Sequence, residues 1–283
     1  MVQTQVWLIT GASRGIGFET AKAALKAGHK VIACYRAKPA DTAKWDELEA
    51  LGGIWTQLDP SSEEAETRTT AVVSEHGQVD VLVNNAAYGM LATIEDTPLE
   101  EVKAIFNTNF IGTLRTIKAM LPSMRERKAG TIVNISSSIA QEPYPLLGIY
   151  AATKSALEAY TESLQGELSP FGIRALIIEP GMTATDFSSL AGSGITVPLS
   201  APYQGTTLSQ FAEVLSSGAP FQAGASPIAV AERIVETVDG TGLMAGRDVS
   251  LRLPLGKDAG AGIEKRAALL AGLQDLKDVW NSV

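Results

Sequence analysis

The chain has 283 residues, 45% of them hydrophobic and 19% charged, a balance that fits a folded globular protein. Its formal net charge of −8 and the lack of any basic block argue against a nucleic-acid partner. Cys34 is the only cysteine, which excludes disulfides and multi-cysteine zinc sites, leaves no metal centre to expect, and makes a reducing cytoplasm the expected home. The only histidines, His29 and His76, both border a glycine and read as surface positions at helix ends, so a Ser-His-Asp hydrolase is disfavoured. The N-terminus lacks a basic region before its apolar run, as a secretory signal would require. No apolar stretch approaches the ~20 residues that span a bilayer, so no membrane partner is expected.

Residues 5–10 form a short apolar run ending in a glycine cluster, the pattern of a buried parallel strand. The cluster is Gly11-Ala12-Ser13-Arg14-Gly15-Ile16-Gly17, and helical periodicity follows through Phe18, Ala21, Ala24 and Leu25. Strand, glycine loop and helix in that order suit a pyrophosphate, because the backbone can approach it and the helix N-terminus offers free N–H groups. The spacing is G-x-x-x-G-x-G rather than G-x-G-x-x-G. A second strand is expected over 31–35. Where an NAD-preferring fold places an acid, this one ends in Tyr35-Arg36, and no acid follows until Asp41. Arg36 and Arg14 could together grip a 2′-phosphate.

Residues 41–50 read as a short helix and 54–58 as a third strand ending at Asp59, which could accept from an adenine amino group or cap the next helix. Residues 79–83 form a fourth strand that runs into Asn84-Asn85-Ala86-Ala87, where the asparagines could tie strands together and leave backbone for a cofactor. A long helix over 99–127 is interrupted near Asn109, a weak helix former whose position suggests a local distortion. Strands are expected over 131–135, 173–178 and 249–253, and helices over 147–168, 227–238 and 263–279. Residues 182–227 are rich in small and polar residues with Phe187, Tyr203, Phe211 and Phe221 among them, and read as a mobile pocket cover with one or two short helices. The alternation predicts an α/β fold: a doubly wound parallel sheet of about seven strands with helices on both faces. We read one domain over 1–283, with a substrate loop at 182–227 and a C-terminal extension at 254–283.

The chemistry centres on Tyr150 and Lys154, four positions apart and so one helical turn apart on one face. A phenol titrates near pH ~10, and an ammonium one turn away is expected to pull it toward the working range. Ser137, at the end of the strand over 131–135, could hold a carbonyl oxygen beside the phenol.

Together these motifs closely resemble the short-chain dehydrogenase/reductase family over about residues 5–253. They are Thr10-Gly11 with Gly15 and Gly17, Asp59, Asn84-Asn85-Ala86, Asn109 with Gly112, Ser137, Tyr150 with Lys154, and Pro180-Gly181. Ala87 departs from the family, which most often has glycine there. The resemblance implies that Ser137 and Tyr150 hold the substrate carbonyl, that Tyr150 donates the proton, and that Lys154 binds the nicotinamide ribose and depresses the Tyr150 pKa. It implies that Asn109 holds a water linking Lys154 to solvent, that Thr185 contacts the nicotinamide carboxamide, and that Ile16, Asn85, Ala86, Pro180 and Gly181 line the cofactor. The expected activity is NADP(H)-dependent reduction of a ketone or aldehyde. An NAD-linked alcohol dehydrogenase, a non-redox enzyme and a cofactor-sensing protein on the same fold stay open. Tyr144–Leu147, Met90 and Met182 suggest a largely apolar substrate pocket. Family members commonly pair two long helices into dimers or tetramers, and Leu114, Ile117 and Leu121 could form such a seam here.

Overall fold

The computed structural model describes residues 3–38, 42–185 and 194–282, so Asp41 and Phe187 lie outside the described residues. The strands are β1 (Val6–Ile9), β2 (Lys30–Tyr35), β3 (Ile54–Gln57), β4 (Val81–Asn84), β5 (Gly89–Leu91), β6 (Gly130–Ile135), β7 (Ile173–Pro180), β8 (Gly194–Thr196) and β9 (Arg252–Leu255). Seven of them form one sheet in the order β3-β2-β1-β4-β6-β7-β9, every pair parallel. The helices are α1 (Gly15–Lys26), α2 (Ala43–Ala50), α3 (Ala65–His76), α4 (Leu99–Phe106), α5 (Gly112–Arg127), α6 (Gly148–Leu168), α7 (Thr207–Ser216), α8 (Ala219–Gln222), α9 (Pro227–Asp239), α10 (Lys257–Gly272) and α11 (Lys277–Trp280).

Alternation along β1 divides the core. Trp7 and Ile9 face a layer with Phe18 and Ala21 of α1 and Ile234 of α9, whereas Leu8 faces one with Ile117 and Met120 of α5 and Leu164 of α6. Strand order reverses at β1, between β2 and β4, which opens a crevice at the carboxyl ends of the strands. A polar chain crosses the middle of this apolar sheet. Asn84 of β4 and Asn134 of β6 are register partners. Asn84 Nδ2 donates to Asn134 Oδ1 at 2.9 Å, Thr116 Oγ1 donates to Asn84 Oδ1 at 2.7 Å, and Asn134 Nδ2 donates to Thr161 Oγ1 at 2.9 Å.

Between α4 and α5, residues Asn107–Ile111 form one π-helical turn, the distortion expected at Asn109. Residues 182–227 hold α7 and α8, as expected. They also hold β8, which pairs with β5 in a two-stranded parallel sheet that the sequence pattern did not suggest.

Four expectations are corrected. His29 is buried: its Nδ1 accepts from the Gln5 amide at 3.2 Å, its Nε2 donates to Asp239 Oδ2 at 3.0 Å, and its ring packs on Trp7. The last sheet strand begins at Arg252 and runs through Pro254, which is tolerated because β9 is an edge strand. The closing helix starts at Lys257 rather than 263 because Gly256 turns straight into it from β9. Ile117 is fully buried in the core and is unavailable to a seam between copies.

Candidate active site

Tyr150 and Lys154 lie on the inward face of α6, and both are buried. Lys154 Nζ stands 5.8 Å from the centre of the Tyr150 ring. It donates to the main-chain oxygen of Ile135, the last residue of β6, at 2.7 Å. Just past that strand end, the Ser137 hydroxyl is hydrogen-bonded to the Tyr150 phenol. Ser137 Oγ also accepts from the Ile139 amide at 3.3 Å. β6 therefore positions both the hydroxyl and the anchor of the ammonium.

The electrostatics correct the sequence expectation for Tyr150. Burial pushes the phenol up to about 12, against the opposing pull of the Ser137 bond. Lys154 does not bring it toward neutrality, because Lys154 is itself desolvated. Burial pushes its ammonium down to about 8, and the Glu158 charge one turn away works to restore it.

Asn109 supports the pair from behind. Its Nδ2 donates to the Tyr88 oxygen at 2.9 Å and to Thr153 Oγ1 at 3.1 Å, and its Oδ1 accepts from the Tyr88 amide at 3.1 Å. Thr153 sits between Tyr150 and Lys154 and donates to the main-chain oxygen of Tyr150 at 2.7 Å. Both side-chain protons of Asn109 are used in this way.

The glycine loop closes the other end of the crevice. Gly11 has φ +63°, and a Cβ there would come within 2.8 Å of Ala86 Cα. A Cβ on Gly17 would run into the Asn85 amide, which donates from Nδ2 to the oxygens of Thr10 and Gly11 at 3.0 Å each. Asn85 and Ala86 thus brace the loop from β4. A Cβ on Gly15 would lie 3.5 Å from Thr185, so the Pro180–Thr185 turn reaches the same loop. Arg14 is extended at the start of α1, with Ser13 and Ile16 on either side and partly buried.

Arg36 and Asp59 stand apart from these groups, at the tips of β2 and β3. The tips are joined by the Leu58 amide donating to the Tyr35 oxygen at 2.9 Å and by Gln57 Nε2 donating to the Arg36 oxygen at 3.2 Å. Arg36 is exposed. Asp59 Oδ1 accepts from the amide and hydroxyl of Ser61 at 3.0 and 2.7 Å, a local cap ahead of α3. Bare backbone at Gly11–Gly17, arginines at 14 and 36, and a buried ammonium at 154 make a donor set that fits a phosphate-bearing dinucleotide.

Sequence reasoning missed the polar cluster beneath Lys154. Glu158 Oε1 accepts from Ser136 Oγ at 2.6 Å, and its Oε2 accepts from Gln141 Nε2 at 2.6 Å and Arg252 Nη1 at 2.7 Å. Arg252 also pairs with Glu162 and Glu179. Burial, and then the Glu158 charge, raise the Glu179 carboxyl. The available signal was an acid at 158 one turn from Lys154, on the helix face that also carries Tyr150, Leu157 and Leu164.

The family model described as short chain dehydrogenase matches residues 5–194. The chain belongs to the short-chain dehydrogenases. This short-chain dehydrogenase is 34% identical to oxidoreductase BOA17 of Botryotinia fuckeliana, over 95% of this chain and 94% of that protein. A short-chain dehydrogenase structure from Streptomyces avermitilis superposes with a TM-score of 0.85 at 32% identity, covering 99% of both chains. An alcohol dehydrogenase from the archaeon Thermococcus sibiricus, complexed with 5-hydroxy-NADP, does so at 0.68 and 25%, covering 90% of this chain and 97% of that one. As a member of this family, the chain is an oxidoreductase of alcohol and carbonyl groups that uses a nicotinamide cofactor. Among the described residues, no helix is long and apolar enough to cross a membrane.

Proposed function

We propose that this short-chain dehydrogenase is an NADP(H)-dependent carbonyl reductase. The observation that carries the reading is the Ser137–Tyr150 hydrogen bond, set one turn from a buried lysine at the mouth of the dinucleotide crevice. When bound, a reduced nicotinamide supplies the hydride. Ser137 and Tyr150 then hold the carbonyl oxygen. A phenol held near 12 is protonated at neutral pH, the state that donates a proton to that oxygen as it becomes an alcohol. Lys154 holds the ribose beside Tyr150, and Asn109 holds the water through which the proton is replenished.

Gly11, Ser13, Gly15, Ile16 and Gly17 receive the pyrophosphate. Asp59 faces the adenine, and Asn85, Ala86, Pro180, Gly181 and Thr185 line the nicotinamide half. The choice of NADP(H) is supported by Arg14 and Arg36, with no acid among the described residues at the tip of β2.

The substrate is a largely apolar ketone or aldehyde. Two neighbouring grooves of about 490 and 270 Å³ share Leu146; the larger meets the Tyr150 cluster through Val197 and the smaller through Tyr144 and Ile149. Residues 196–216 supply one wall of both grooves. We further propose that the enzyme works as a homodimer or homotetramer, read out as a native mass at least twice 29.8 kDa at micromolar concentration. The function is tested by NADPH consumption against a panel of ketones of increasing apolar size. No consumption with any of them would reject it.

A further inference from the structure

The C-terminal segment was read from sequence only as an extension. Its first helical turn reaches the candidate site. Asp258, in the first turn of α10, accepts from the Met182 amide at 2.6 Å. A Cβ on Gly181 would run into the same carboxylate, so only glycine lets the turn and the acid approach this closely. The Gly181 amide donates to the Leu255 oxygen at 2.9 Å, at the end of β9. On its other side, the turn is fastened by the Ala225 amide donating to the Met182 oxygen at 2.8 Å and the Ala184 amide donating to the Ala225 oxygen at 3.0 Å. α10 is itself held in place. Ala259 is buried, a Cβ on Gly262 would lie 3.5 Å from the Glu142 side chain, and Lys265 pairs with the Glu142 carboxylate. Glu142 in turn follows the short turn that starts at Ser137.

We propose that Asp258 is a positioning residue that sets the wall of the nicotinamide pocket through its bond to the Met182 amide. The inference rests on the reading of residues 180–185 as that wall. An ionised acceptor on a main-chain N–H makes a charge-assisted bond, and the first turn of α10 stabilises the negative charge. Without it, the turn keeps only its Ala225 fastening and can swing away from Gly15, to which Thr185 now delivers its side chain. The adenine half of the crevice is formed by other strands and is untouched.

The test compares wild type, Asp258→Ala and Asp258→Asn. Calorimetry measures the affinity of each for NADPH or NADH, whichever wild type binds more tightly, and for the matching ADP-ribose fragment that lacks nicotinamide. Asp258→Ala should weaken the whole cofactor about tenfold or more and the fragment less than twofold. Asp258→Asn, which keeps an acceptor for the Met182 amide, should stay near wild type. Equal affinities in Asp258→Ala and wild type, or equal losses for cofactor and fragment, overturn the inference. Wild type that binds no nicotinamide nucleotide overturns the cofactor reading and this inference with it. Amide hydrogen exchange of wild type decides the matter even where a variant fails to fold: the Met182 amide should be protected, and exchange at the rate of an open loop overturns the proposal.

Discussion

The Lys154 ammonium donates to the main-chain oxygen of Ile135 at 2.7 Å, so the buried cation is anchored to the same strand end that leads into Ser137. Its desolvation gives the folded state a measurable dependence on pH. The ammonium titrates near 8 in the folded protein, against 10.5 for an ordinary lysine. Between those values the unfolded chain binds a proton that the folded chain does not, so the contribution of Lys154 to stability rises with pH across that window. Subtracting the denaturation curves of Lys154→Met from those of wild type at pH 7 to 10.5 should reveal this slope. A flat difference would contradict the burial of the charge.

Tyr150→Phe removes only the hydroxyl and leaves the ring packed against Met90 and Ile139. Turnover should fall by ~10²–10⁴, with melting temperature and cofactor affinity close to wild type. Ser137→Ala should also lower turnover, since it removes the bond that restrains the rise of the phenol pKa. Activity that merely follows the folded fraction in both variants would remove them from the chemistry.

Arg36→Asp should reverse the cofactor preference. An acid at the tip of β2 repels a 2′-phosphate and accepts from a ribose hydroxyl instead. NADPH affinity should drop by about ten- to a hundredfold, on the scale of one charge-assisted contact, while NADH affinity holds or improves. Wild type that binds both cofactors equally in calorimetry would sink the assignment.

His29→Leu should destabilise the fold by about 2–4 kcal/mol, because it leaves Asp239 buried without its partner. The pair lies where β2 begins, away from the carboxyl ends of the strands, so turnover per folded molecule should be unchanged. Urea unfolding and active-site titration separate the two effects.

The central sheet was legible because buried parallel strands read as apolar runs between amphipathic helices. Asn109 announced the π-turn because an amide inside a long helix is locally unfavourable. What escaped depended on partners far along the chain. β5 is three residues long and too short for any period, and its partner β8 follows more than a hundred positions later. His29 sits between Gly28 and Lys30, a turn by its neighbours, and only α9 brings Asp239 over it. The direction of the Tyr150 shift depends on depth of burial, which the Tyr-x-x-x-Lys spacing does not encode. Asp258 looked like an ordinary acid in a helix's first turn, and its value lies in facing Gly181.

The crossing of Asn84 and Asn134 has a consequence for how the chain finds its shape. Strands that are greasy on both sides can slide past one another with little penalty, since one valine or isoleucine serves a neighbour as well as the next. An amide cannot be exchanged in this way. A shift of β6 by one place along β4 would strand both carboxamides, together with Thr116 and Thr161, in a dry interior. The pair therefore acts as a tooth and notch. It lets the two middle strands lock in a single alignment, and that alignment carries Ser137 to the level of Tyr150.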